Sequence, residues 1–264
     1  MKKFIIFLLF FSLFLLSGCG NANNISNIPS SQIISKYPYR DINQEEINHF
    51  VPYGYDIIKD DIYKNPKIIK ISLDSNQDKN IVLLFSSKNE DIYNEEQNPK
   101  MIILKFNRNN DKWEMVNDMY DFKAASISNQ YIITNINNDG VEELNLLLTL
   151  ACGSACSFHQ GVFTIIGNKV VDLMPENVTS NMGFRFMDDT KKYLNINYLW
   201  PRGESHFGCH YFKVDEYQFI KDSFQLVKTS NTIYRYGLDV GETNELCSIY
   251  EENNVLGELG YLKN

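Results

Sequence analysis

QYIITNINNDGVEELNLLLTL, residues 130–150, decides how the rest of the chain reads. Two apolar runs, QYIITNI (130–136) and ELNLLLTL (143–150), flank an Asn-Asp-Gly turn at 138–140. Short runs rich in Ile, Leu and Thr, parted by residues that accept tight-turn geometry, are strand and hairpin signals. The pattern continues through GVFTIIG (161–167) and KVVDLM (169–174), giving a hairpin, a long loop and a second hairpin. The same unit recurs on both sides. Upstream it runs KIIKISLD (67–74), NIVLLFSS (80–87), KMIILKFN (100–107) and KWEMV (112–116). Downstream it runs MGFRFMD (182–188), YLNINYLW (193–200), HYFKVDEYQF (210–219) and FQLV (224–227). The expected fold is mostly β, built from antiparallel four-stranded repeats at about 66–118, 130–175 and 182–228.

The turn of the second repeat carries oxygen-bearing side chains at alternate positions: Asn135, Asn137, Asp139 and, after Gly140, Glu143. It resembles the D-x-D/N-x-D-G-x-x-D/E loop of FG-GAP and VCBS-like repeats. In the first repeat Asp74-Ser75-Asn76-Gln77-Asp78-Lys79-Asn80 lacks the glycine and the final acid, and the third keeps only Asp188-Asp189-Thr190. The resemblance implies β-propeller-like blades. An open, curved multi-sheet array is the other expectation, because propellers have at least four blades; segments 50–58 and 232–264 are the material for a fourth sheet. The resemblance also implies a calcium loop, with the side chains of Asn135, Asn137, Asp139 and Glu143 and the carbonyl of Val141 as ligands. Only two of these are carboxylates, so binding would be weak. The competing reading is a plain β-turn with no metal.

The cysteines give a second candidate. ACGSACSFHQG (151–161) and PRGESHFGCHYF (201–212) fall between the middle strands of repeats two and three. Read as loops on one face, they gather Cys152, Cys156, His159, His206, Cys209 and His210, with Trp200 close by as a possible contact for a glycan or protein. Zinc is one reading of this set. Disulfides are the other, either Cys152–Cys156 or one of these to Cys209, with Cys247 as the fourth thiol. Thiol catalysis is disfavoured, since Cys209 and His210, as neighbours on a strand, point to opposite faces. No nucleophile-elbow, zincin, P-loop or dinucleotide fingerprint occurs. Helix signals are few: DINQEEINHF (41–50), with Asp41 or Asn43 as N-cap, and 242–250.

Ahead of all this stands MKKFIIFLLFFSLFLLSGCG (1–20). Two lysines precede an apolar run too short to span a bilayer, as in a signal peptide. Leu16-Ser17-Gly18-Cys19 resembles the lipobox of bacterial lipoproteins. That resemblance implies cleavage after Gly18, acylation of Cys19 and an extracytoplasmic, membrane-anchored protein, on the outer membrane where the host has one. The expected layout is signal peptide 1–18, lipidated cysteine and tether 19–48, and β-domain 49–264. Losing the leader removes two of 25 basic and none of 33 acidic residues, moving the net charge from −8 to about −10. With no basic cluster, nucleic acid is excluded as a partner. The expectation is a non-enzymatic envelope binding module whose partner is an envelope protein or glycan. A hydrolase-like enzyme using the loop face, or a calcium- or zinc-binding protein, are the alternatives.

Overall fold

IVLLF (81–85) is apolar without alternation, a pattern that demands cover on both faces of its sheet. The computed structural model, which describes residues 40–60, 64–73, 79–88, 98–116, 118–152, 156–167, 169–200, 208–237 and 247–262, provides that cover. The leader, Cys19, most of the tether, the 74–78 turn and His206 lie outside the described residues.

The first sheet contains β1 (Tyr55–Ile57), β2 (Ile69–Ile71), β3 (Asn80–Ser87), β4 (Lys100–Asn107), β5 (Lys112–Met115) and β6 (Tyr120–Asp121). Its outer strands are split. β1 and β2 pair with opposite ends of β3, and β5 and β6 with opposite ends of β4. The second sheet is an unbroken meander of β7 (Ser126–Thr134), β8 (Glu143–Cys152), β9 (Cys156–Ile166) and β10 (Lys169–Asp172). The third has β11 (Gly183–Met187), β12 (Lys192–Leu199), β13 (Cys209–Ile220) and β14 (Ser223–Asn231). β15 (Tyr236–Gly237) continues along β13, and β16 (Ser248–Ile249) pairs with β15 in parallel. The strands of each of the three segments read as repeats pair antiparallel within one sheet.

Side-chain alternation sorts the layers. Ile81, Leu83 and Phe85 of β3 pack with Trp113, Ile42 and Ile47, while Val82 and Leu84 pack with Leu144, Leu146, Leu148 and Phe163 of the second sheet. The other face of the second sheet, through Ile136 and Val162, meets Tyr193, Tyr217 and Phe224 of the third. The far face of the third sheet, including Leu194, Ile196 and Phe212, packs on Val255 and Leu256. The layers run helix, sheet, sheet, sheet, helix. Each fully buried Leu, Ile or Phe contributes roughly 1.5–3 kcal/mol to this stacking.

The helices are α1 (Gln44–Phe50) and α2 (Glu252–Glu258). Asn43 caps α1 in a reciprocal capping box with Glu46, whose carboxylate also takes two bonds from Arg40 at 2.7 and 2.6 Å. Such a box satisfies two otherwise orphaned N–H groups.

Four expectations change. The folded body begins ahead of residue 49, since Ile42 and Ile47 are core residues. The described part of 242–250 is not helical: Ser248–Ile249 is a strand, and the helix comes later, where Val255 and Leu256 find apolar cover. Tyr55–Ile57 joins the first sheet, Tyr236–Gly237 and Ser248–Ile249 join the third, and no fourth sheet exists among the described residues. Of the segment 151–161, read as a loop, the described residues are strand, with Cys152 ending β8 and Cys156 starting β9.

Candidate functional site: a cleft between the first two sheets

The 135–143 turn closes largely on itself. Asp139 Oδ1 accepts from Val141 N at 2.7 Å and Asp139 Oδ2 from Asn137 Nδ2 at 2.8 Å. Asn138 and Gly140 supply φ values of 59° and 90°, which the reversal needs. Glu143 turns inward, only 3% exposed, and its Oε2 accepts from Ile136 N at 2.9 Å. Burial, with Asp139 and Glu142 nearby, pushes its carboxyl up to about 7 despite the backbone bonds that oppose this. Asn135 Oδ1 is buried with no hydrogen-bond partner. An all-oxygen donor set with one orphaned oxygen fits a calcium ion chemically, with Asp139 and Glu143 as its two carboxylates. Glu142, next in line, fastens the turn to the first repeat. Its carboxylate accepts from Ser72 N at 2.7 Å and Lys79 Nζ at 2.8 Å, and its N–H donates to Ser72 O.

The cysteines form two disulfides, Cys152–Cys156 and Cys209–Cys247. The first joins directly opposed residues of β8 and β9; the second ties β13 to the chain before β16. These four sulfurs are not thiolates, and no group of three His, Cys, Asp or Glu that could hold a metal exists among the described residues. Among the described residues the His and Cys side chains do not form a rim. His210 is fully buried beside the Tyr198 ring, centroids 5.1 Å apart. Trp200 is half-exposed at 49%.

His159 lies mid-strand, opposite Leu148, and is 5% exposed. Its Nδ1 sits 2.8 Å from Val178 O and its Nε2 2.9 Å from Asp172 Oδ2. Both partners only accept. A neutral imidazole has one N–H and satisfies one of them; the imidazolium satisfies both. Burial alone would lower the imidazole pKa, but the bonds to Asp172 and Val178, reinforced by the charges of Asp172 and Glu176, hold it above its ordinary value. Asp172 is equally engaged, its Oδ1 accepting from Val162 N at 2.9 Å and Met174 N at 3.0 Å.

This pair lines a cleft of about 330 Å³ between β6 with the residues just after it and the second sheet. Phe122, Leu148 and Leu150 give it apolar walls; Tyr120, Asp121, Lys123 and Glu176 complete it. Behind the lining, a Cβ at Gly161 would lie 2.3 Å from the Phe163 ring, which packs edge-on to the lining residues Tyr120 and Phe122. Among the described residues the Tyr120 hydroxyl has no hydrogen-bond partner. Burial first, then Asp172 and Glu176, push its pKa up to about 12. An apolar cleft with a few converging polar groups and perturbed ionisation is the usual form of a small-ligand site.

Of these residues, sequence reasoning singled out His159 alone. Tyr120 lies in β6, Asp172 in β10 and Glu176 in a connecting segment, and only the packing of two sheets brings them together. No family model matches this sequence, and the search of curated proteins finds no match.

Proposed function

We propose that this chain is a lipid-anchored lipoprotein of the bacterial envelope and that its β-domain is a non-enzymatic binding module. The lipobox around Cys19 supports the anchor, and two disulfides suit an oxidising compartment. We read the three stacked sheets as an open, propeller-like array, with the cleft at His159 as its ligand site. One observation carries the binding reading over the enzymatic one: His159 has both ring nitrogens committed to acceptors, so it offers no lone pair to a nucleophile.

The test has two parts. Cys19→Ser should move the protein from the membrane fraction to the soluble extracytoplasmic fraction and abolish incorporation of a labelled fatty acid. Turnover of ester, peptide or glycoside probes that disappears in His159→Gln while the fold persists would replace the binding reading with a hydrolytic one.

Calcium at the 135–143 turn is the second reading, favoured by the orphaned Asn135 Oδ1. The ion would be held by Asn135, Asn137, Asp139, Glu143 and the Val141 carbonyl. Millimolar calcium should then raise the melting temperature of the wild type and leave Asn135→Ala unchanged. Equal curves for both with and without calcium would leave the turn metal-free.

A further inference from the structure

The charges around the cleft are not evenly engaged. Asp172 is committed on both oxygens, to His159 and to two backbone N–H groups. Asp121 is paired with Lys100. Glu176 meets only the Lys123 ammonium among the described residues, at 3.3 Å, and both side chains are about four-fifths exposed (79% and 82%). A pair so exposed is weak and easily displaced. The lining carries three carboxylates, Asp121, Asp172 and Glu176; Asp121 is neutralised by Lys100 and Asp172 faces His159, so Glu176 has the loosest partner. A carboxylate-bearing ligand would bring a further negative charge into this set. Phe122, Leu148 and Leu150 line the same cleft as Glu176, and so does Tyr120. The volume equals roughly eleven waters at about 30 Å³ each, room for a compact molecule and too little for a peptide or a long glycan.

We propose that the cleft binds a small organic amine, its ammonium between the Glu176 carboxylate and Tyr120, and its apolar body over Phe122, Leu148 and Leu150. This rests on the reading of the cleft as a ligand site. The ligand ammonium takes over the contact that Lys123 makes with Glu176, and the face of the Tyr120 ring adds a cation–π contact. Burial is the main cause of the upward shift of the Tyr120 hydroxyl, and the charges of Asp172 and Glu176 add to it.

The experiment uses the full lipidated chain in detergent and three probes of one shape: 2-phenylethylamine, 2-phenylethanol and phenylacetate. Titration calorimetry should show the amine binding at least tenfold more tightly than the alcohol, and the acid not binding. Glu176→Gln should remove the preference for amine over alcohol while the melting temperature holds, and Leu150→Trp, which fills the cleft, should abolish binding of both. Equal affinity for amine and alcohol, lost in Leu150→Trp, would overturn the amine assignment and leave the cleft as a site. Binding of no probe, or binding that survives Leu150→Trp in a protein that still melts cooperatively, would overturn the cleft reading and the amine proposal with it.

Discussion

The first and second sheets share one strand plan but are filled differently. In the first, Ile81 to Phe85 and Met101 to Leu104 are all at most 1% exposed and all apolar. In the second, the corresponding strands bury Glu143, Asn145, His159, Gln160 and Thr164. A polar group between packed sheets has no water, and leaving it unpaired costs free energy. The second sheet answers Glu143, Asn145, His159 and Gln160 with partners. Asn145 donates to Ile132 O and Thr134 Oγ1 and accepts from the Tyr193 hydroxyl of the third sheet. Gln160 donates to Leu146 O, and His159 takes Asp172. The first sheet is a source of stability; the second trades apolar contact for placed polar groups, and the cleft lies on its side of the interface.

The sharpest way to break this contrast is to remove one buried partner from each sheet. Asp172→Ala strands a buried imidazolium and two N–H groups and should cost roughly 3–5 kcal/mol at pH 6. Leu83→Ala opens an apolar cavity and should cost roughly 2–5 kcal/mol. Urea unfolding at pH 6 and pH 8.5 separates them: the Leu83 loss should not change with pH, and the Asp172 loss should shrink at pH 8.5.

The reason is the sign of the linkage. His159 and Glu143 both have folded pKa values above their unfolded ones. Each contribution is complete below the unfolded pKa and is lost as pH rises through the folded one, from 4.5 to about 7 for Glu143 and from 6.5 upward for His159. Each pKa unit of upward shift corresponds to about 1.4 kcal/mol. Stability of the wild type should therefore fall between pH 5 and pH 8.5, and the double variant Glu143→Gln, His159→Gln should flatten the profile. A profile that rises over this range would contradict the burial of both groups.

Smaller effects sharpen the picture. Gly161→Ala drives a methyl into the Phe163 ring and should cost roughly 1–3 kcal/mol, seen as a lower melting temperature. Tyr193→Phe leaves Asn145 Oδ1 without its bond and should cost about 1 kcal/mol. Lys123→Ala breaks only the exposed pair with Glu176 and should cost less than about 1 kcal/mol.

The bounds of β3 and β4 read directly from sequence because turn residues stand at both ends of unbroken apolar runs. The β8–β9 connection did not, since Cys-Gly-Ser-Ala-Cys followed by Ser-Phe-His-Gln-Gly carries the polarity of a loop. Cys152 and residues 156–160 are strand nonetheless: the Cys152–Cys156 bond joins opposed residues of β8 and β9, and His159 is paired with Asp172, thirteen residues on. Of the disulfide readings, Cys152–Cys156 is present, whereas Cys209 pairs with Cys247, 38 residues on, which no local signal marks. α2 was missed because Asn253, Asn254 and Gly257 are poor helix formers; burial of Val255 and Leu256 outweighs their propensity. The cleft was hidden for the plainest reason, that its walls come from segments some fifty residues apart, Tyr120–Lys123 and Asp172–Glu176.

The measurement that bears most directly on the account is long-range ¹H–¹⁵N NMR of the His159 ring at pH 7. The account predicts an imidazolium, protonated on both nitrogens, held between Asp172 and Val178 and unable to serve as a base. A neutral ring with one free nitrogen would contradict it and return the cleft to the list of candidate catalytic sites.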